Sequence, residues 1–273
     1  MKFENTEVMN FKGALRGMRN PLNSWSKSDS SFGIVCEHEG DNLVNEIAYA
    51  WAYHVLKDVE FENKDAYNKE HKKLTELYLQ WLYKNGVRYM NYDHYYHANY
   101  IGPNDMNLAK RLIAGGTEHR KFLRQIMVSV DITAPLYWWK EFDTYKVGTT
   151  ANSTSTMHKL ASTPITLECF ETDDFYDEFE ISEHYHFSDF VNIELINTLE
   201  MLRQKYNETK DKRYWKELIR WLPNGWLQTR TITMNYENLR SMYHQREHHK
   251  LVEWHSFCDW VKGLPYAEDF IIN

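Results

Sequence analysis

From Ile126 to Thr133 every second residue is a branched aliphatic: Ile126, Val128, Val130 and Ile132 interleave with Met127, Ser129, Asp131 and Thr133. An extended chain sends alternate side chains to opposite faces, so this segment is expected to be a strand with one face in a core. Such a strand needs neighbours. A second alternation, Thr229, Thr231 and Thr233 against Arg230, Ile232 and Met234, offers one.

Helical spacing fills much of the remainder. Leu74, Leu77, Tyr78, Trp81 and Leu82 recur at intervals of three and four between Asp65 and Asn85, with Gly86 placed to stop the helix. Asp105 reads as an N-cap for a helix carrying Leu108, Leu112 and Ile113, ending at Gly115-Gly116. Pro135 closes the first strand and opens a buried helix over Leu136 to Phe142. Further helices are expected from Ser188 to about Tyr206, from Lys212 to Leu222, from a cap at Asn235 through Leu239, Met242 and Tyr243, and from Leu251 to Lys262.

With no internal repeat and no linker, the expectation is an α+β fold over residues 1–273. It is a single mixed domain with a central, mostly antiparallel sheet and long helices, and a helical insertion at about 40–100. Forty-two aromatic residues (10 Trp, 19 Tyr, 13 Phe) against 11 Gly and 6 Pro exclude disorder as the main state. No apolar run approaches the roughly 18 residues of a membrane span, and the start lacks a secretory pattern, so a cytoplasmic chain is expected. Cys36, Cys169 and Cys258 lie far apart and read as three reduced thiols.

The seven carboxylates between Glu168 and Glu180 account for the whole net charge of −7. They read as a solvated acidic loop, and a balanced remainder argues against a nucleic-acid partner. Some segments do suggest chemistry. The first forty residues, rich in Asn, Ser and Gly, read as loop that either idles at the surface or lines a site. After Lys146 comes a run with almost nothing to pack a core, Gly148 to Thr156, in which Asn152, Ser153, Thr154, Ser155 and Thr156 could converge on a phosphate. The plain alternative is a polar loop. Arg246, in Tyr243 to His249, offers a planar fork for a carbonyl, carboxylate or phosphate, or else a surface ion pair with Glu247 or Glu253. His244 and His248 stand at metal-ligand spacing without the glutamate of a zinc-protease helix. Asp93, His94 and His97 could form an acid/base set, and His184 and His186 share one side of a strand; packing is the commoner role for each. No metal site is expected.

Three segments, read in order, resemble the flavin-dependent thymidylate synthases. Ile132-Thr133-Ala134-Pro135-Leu136-Tyr137 is similar to the strand-to-helix junction before that family's Arg-His-Arg, seven residues, Ser motif. Counting on places Thr144-Tyr145-Lys146 at the Arg-His-Arg positions and Thr154 at the Ser. Leu222-Pro223 and Thr233-Met234-Asn235 keep the family's spacing, Arg246 follows eleven residues after Asn235, and Glu253-Trp254 is similar to its Trp-Glu pair in inverted order. The resemblance covers about half the chain.

The resemblance implies reductive methylation, or a related one-carbon transfer, at C5 of dUMP. Reduced FAD would supply hydride, with NADPH and methylenetetrahydrofolate as co-substrates, in a homotetramer. It assigns Arg246 to the pyrimidine carbonyl, Asn152 to Thr156 to the 5′-phosphate, Arg230 to a second phosphate or ribose contact, and Glu141 to the neighbourhood of the base. Thr144, Tyr145, Lys146, Asn235 and Ser24 fall on the cofactor side, with Arg19 near Ser24. Replacing Arg-His-Arg by Thr-Tyr-Lys leaves Lys146 as the sole cation of the motif, and a lysine does not reproduce a bidentate fork. The rival expectation is therefore a nucleotide-binding or structural relative without flavin chemistry. A metal-dependent hydrolase on the His244/His248 face is a third.

Overall fold

A computed structural model describes residues 1–36, 48–49, 52–53, 55–56, 59–84, 88–90, 95–172 and 179–273. It divides into two compact units, each assembled from separated stretches of chain. The first comprises Met1–Glu7, Val128–Met234 and Leu251–Ser256; the second comprises Val8–Met127, Asn235–Lys250 and Phe257–Asn273. Strands are numbered in chain order.

The first unit is organised on a four-stranded sheet. Its strands are β1 (Lys2–Met9), β5 (Met127–Pro135), β6 (Thr150–Ser153) and β9 (Leu227–Asn235), in the order β1-β5-β9-β6. Both alternations are strands. Val128, Val130, Ile132 and Ala134 of β5 and Ile232 and Met234 of β9 are fully buried, and each large aliphatic among them contributes about 1.5 to 3 kcal/mol by leaving water. Leu136 N–H donates to Trp226 O at 3.0 Å, Thr133 and Thr229 share a hydroxyl bond of 2.7 Å, and Thr231 donates to Asp131 at 2.5 Å. These pairs descend one strand as they climb the other, so β5 and β9 are antiparallel. Asn5 completes the polar row, donating to Asp131 at 2.8 Å. The Thr231 and Asn5 bonds together hold the Asp131 carboxyl below its ordinary range.

Trp138, Trp139 and Phe142, on the Leu136–Phe142 helix, are buried with Trp254 in a chain of ring contacts; Trp138 lies 4.9 Å from both Trp139 and Trp254. A second core gathers Leu160, Ile165, Phe170, Val191, Ile196, Leu199, Leu218 and Trp226. The helix expected from Ser188 is interrupted in character. Phe190–Ile196 winds as π-helix before α-helix resumes over Asn197–Thr209. A short hairpin, β7 (Glu180–Ser182) with β8 (Tyr185–His186), precedes it.

The second unit packs Phe11, Tyr236, Tyr266 and Phe270 ring to ring, Phe11 lying 5.7 Å from both Tyr236 and Tyr266. Asn235 caps the Tyr236–Arg246 helix as expected, through a reciprocal box with Asn238. The expected insertion holds the Lys64–Lys84 helix but also strands. The strands β3 (Arg88–Met90) and β4 (Tyr95–Tyr100) join β2 (Ser31–Cys36), which precedes the insertion, in an antiparallel sheet with β4 in the middle. Gly86, Asp93, His94 and the carboxylates of 173–178 lie outside the described residues.

Asp105 does not cap its helix. That helix runs Pro103–Ala114 with Gly102 at the cap position, and Asp105 is a fully buried residue of the first turn. The cap comes from elsewhere: Asp29 accepts from the backbone N–H groups of Asn104 (2.8 Å) and Asp105 (3.1 Å). Among the described residues no helix is long and apolar enough to cross a membrane.

Candidate functional site

The hydroxyl-rich run is not a free loop. Thr150–Ser153 forms β6, an exposed strand paired antiparallel with β9 so that Asn152 faces Thr231 and Ser153 faces Arg230. Thr154 continues the contact, its N–H at 2.9 Å and its hydroxyl at 3.2 Å from Thr229 O. Ser155 then caps the Thr156–Ser162 helix by accepting from His158 N–H at 3.3 Å. Small β-tolerant residues and a serine cap explain this local structure, and leave a row of alcohols on the surface.

Beside that row stands Arg230. Its position on β9 is one that points inward, as Ile232 and Met234 do, yet it carries a charge. Three contacts compensate. The guanidinium lies 4.2 Å from the Trp139 ring centroid, donates from Nε to Gln228 Oε1 at 2.9 Å, and pairs with Asp143 at 2.6 Å. The side chain is 14% exposed, against 52% for Asp143. Gln228 ties the arginine to the alcohols, donating to Thr154 O at 2.9 Å and Thr156 Oγ at 3.2 Å, while its own carbonyl accepts from Trp139 Nε1 at 2.9 Å. Asn152 and Ser153 make no side-chain hydrogen bond among the described residues. Thr149 adds a shielded hydroxyl oxygen with no hydrogen-bond partner there. Arg230 and the Ser153–Thr156 part of the run therefore form one polar cluster of the first unit, while Asn152, paired with Thr231, lies on the opposite face of the sheet.

Glu141 also lies in this unit, accepting from Trp254 Nε1 at 3.0 Å, and Tyr145 stacks edgewise on Trp254 at 6.1 Å. Tyr137 donates to Glu253. Gln228, Trp139 and Asp143 were absent from the expected set. Gln228 alone had a readable signal, a polar residue on the apolar phase of a strand.

Other expected residues belong to the second unit. Arg246 ends the Tyr236–Arg246 helix, half-buried, at the terminus where a cation is favoured. Asn235 is engaged in its capping box. Ser24 precedes a single turn of 3-10 helix, and its carbonyl accepts from Arg19, whose Nε pairs with Asp105 at 2.5 Å. Ser28 and Ser30 also donate to that carboxylate, at 2.6 and 2.5 Å. Burial pushes the Asp105 carboxyl up, but the bonds from Ser28, Ser30 and Arg19 outweigh it and hold the group below its ordinary value.

The residues assigned to a flavin offer its diphosphate a single cation, Lys146. Thr144 donates its hydroxyl to Glu141 O at 2.8 Å, and Asn235 accepts at the cap through its side-chain oxygen. Ser24 and Asn235 belong to one unit and Thr144, Tyr145 and Lys146 to the other. No group of three His, Cys, Asp or Glu side chains able to hold a metal occurs among the described residues. His244 is exposed, 3.9 Å from Glu247.

Fold and site together define a mixed helix-and-sheet protein whose first unit presents a shielded guanidinium beside a row of alcohols. No protein-family model matches the chain, and no curated protein matches it. Solved structures do match. The flavin-dependent thymidylate synthase ThyX of Helicobacter pylori, complexed with FAD and dUMP, is similar at 17% identity with a TM-score of 0.46, over 62% of this chain and 83% of that one. A second structure of ThyX from Helicobacter pylori with FAD and dUMP is similar at 13% identity and a TM-score of 0.43, over 89% of this chain and 96% of that one.

Proposed function

We propose that this chain binds a pyrimidine nucleotide monophosphate of the dUMP type, its phosphate held in the first unit between Arg230 and Ser153–Thr156. The carrying observation is Arg230 itself: a guanidinium laid on an indole, with Ser153 across the strand pair and Thr154 and Thr156 linked to it through Gln228. A phosphate would exchange Asp143 for its own oxygens on the guanidinium, a bidentate match that Lys146 does not offer. The Ser153 hydroxyl supplies an uncommitted donor on the Arg230 face, and Ser155 keeps its O–H free because its oxygen accepts at the cap.

One-carbon transfer at C5 is the second reading. It is favoured by the helix that runs unbroken from the Asn235 cap to Arg246, preserving the family's spacing. No step is assigned to a flavin, because Lys146 is the one cation among the residues expected to hold it.

Calorimetric titration with dUMP tests the proposal. Arg230→Ala is expected to weaken binding by about 10- to 100-fold, the loss of a charge-assisted bidentate contact, and Arg230→Lys to recover only part of it. Unchanged affinity in Arg230→Ala would refute the site. Absorbance of the purified protein near about 450 nm separates the two readings, since a colourless protein that still binds dUMP favours binding without flavin chemistry.

A further inference from the structure

Leu160 to Leu202 contains eleven carboxylates and neither lysine nor arginine. In the middle of this stretch the first unit exposes a run of large apolar side chains. Phe179 is 43% exposed, Ile181 48%, Phe187 38%, Phe190 38% and Ile193 59%. The three rings are connected: Phe179 and Phe187 meet edge to face at 6.0 Å, Phe187 and Phe190 lie tilted at 6.2 Å, and the Phe187 N–H donates to Phe179 O at 2.8 Å. Ile181 lies two residues on, in β7, and Phe187, Phe190 and Ile193 recur at intervals of three. Exposed carboxylates border the run at Glu180, Glu183 and Glu194.

A contiguous exposed apolar surface is costly in water and marks an interaction site more often than chance exposure does. Its charged rim selects the occupant. A negative border repels nucleic acid and anionic membranes, and complements a segment that is apolar on one face and cationic on the other. We propose that the Phe179–Ile193 surface docks a basic amphipathic helix of a partner protein. The aromatic side chains would take its apolar face, while Glu180, Glu183 and Glu194 meet its lysines or arginines. This docking is independent of the nucleotide site.

The test uses the full chain and a labelled synthetic helix of about 18 residues, leucine at i, i+3, i+4, i+7 spacing and lysine elsewhere. The expected result is saturable one-to-one binding by fluorescence anisotropy, weakening about tenfold between about 50 and about 300 mM salt. Ile193→Asn and, separately, Glu183→Lys are expected to weaken it by about tenfold or more, with circular dichroism unchanged. Both side chains are exposed, so folding is not at stake. The proposal is overturned if the lysine helix does not bind, if a glutamate-for-lysine helix binds equally well, or if neither substitution matters. It is overturned also if sedimentation shows self-association that Ile193→Asn abolishes, because a second copy would then cover the surface.

Discussion

Two arginines set the chemistry of the two units, and each is held by a different compromise. Arg230 pairs with a half-exposed carboxylate that a ligand can displace; Arg19 pairs with Asp105, which is sealed from solvent. Asp143 therefore competes with any anion for Arg230, and Asp143→Asn is expected to tighten phosphate or dUMP binding by roughly three- to tenfold. Weaker binding in that variant would mean that Asp143 orients the guanidinium and does not block it. At Asp105 the consequence is stability. Its native carboxyl titrates below the ordinary value of 3.8, so its contribution is fully present above that value and is lost as pH falls through the lowered native one. Arg19→Met leaves a buried carboxylate short of its cation and is expected to cost about 3 to 5 kcal/mol. It also shifts the acid limb of the stability profile to higher pH, because burial then pushes the carboxyl up with less to oppose it. Urea unfolding across the acid range measures both effects.

Elements were legible where one local rule governed them. Period-two alternation located β5 and β9, and Asn235 followed by Asn238 three residues on marked a helix start. Asn235→Ala is expected to cost about 1 kcal/mol, read as a lower urea midpoint at constant slope. Where a distant residue decided, the sequence was silent or misleading. Asp105 had the chemistry of a cap, but the cap is Asp29, brought to the Pro103–Ala114 helix from 76 positions away. The Gly148–Thr156 run looked like loop because it has nothing to bury. Residues 150–153 become β6 because β9, paired with β5 on one side, has an open edge on the other, and edge strands need no core side chains. Nor does the spacing of Ile193, Ile196 and Leu199 distinguish α from π winding at Phe190–Ile196. The site divides in the same way. Its alcohols and Arg230 were visible as residue types, whereas Trp139, Asp143 and Gln228 matter through contacts that no spacing encodes.

At the scale of the whole chain, the two units interleave in sequence, and this bears on how either can be isolated. Most of the first unit is one block, 128–234, but β1 borders β5 from the N-terminus and 251–256 returns Trp254 to the ring cluster of Trp138 and Tyr145. Without β1, β5 becomes an open edge whose backbone groups lose their partners. Without Trp254, a fully buried indole leaves a cavity beside Trp138, and the indole N–H no longer reaches Glu141. Deleting a buried tryptophan costs about 3 to 5 kcal/mol, a large part of the roughly 5 to 15 kcal/mol that holds a typical native state together. A fragment of residues 128–234 is thus expected to show no cooperative thermal transition, in contrast to the whole chain. Trp254→Ala in the intact protein separates the two causes, since it removes the indole and keeps β1. A sigmoidal melt of the fragment at the intact protein's midpoint would mean that the block is self-sufficient and that its distant segments merely decorate it.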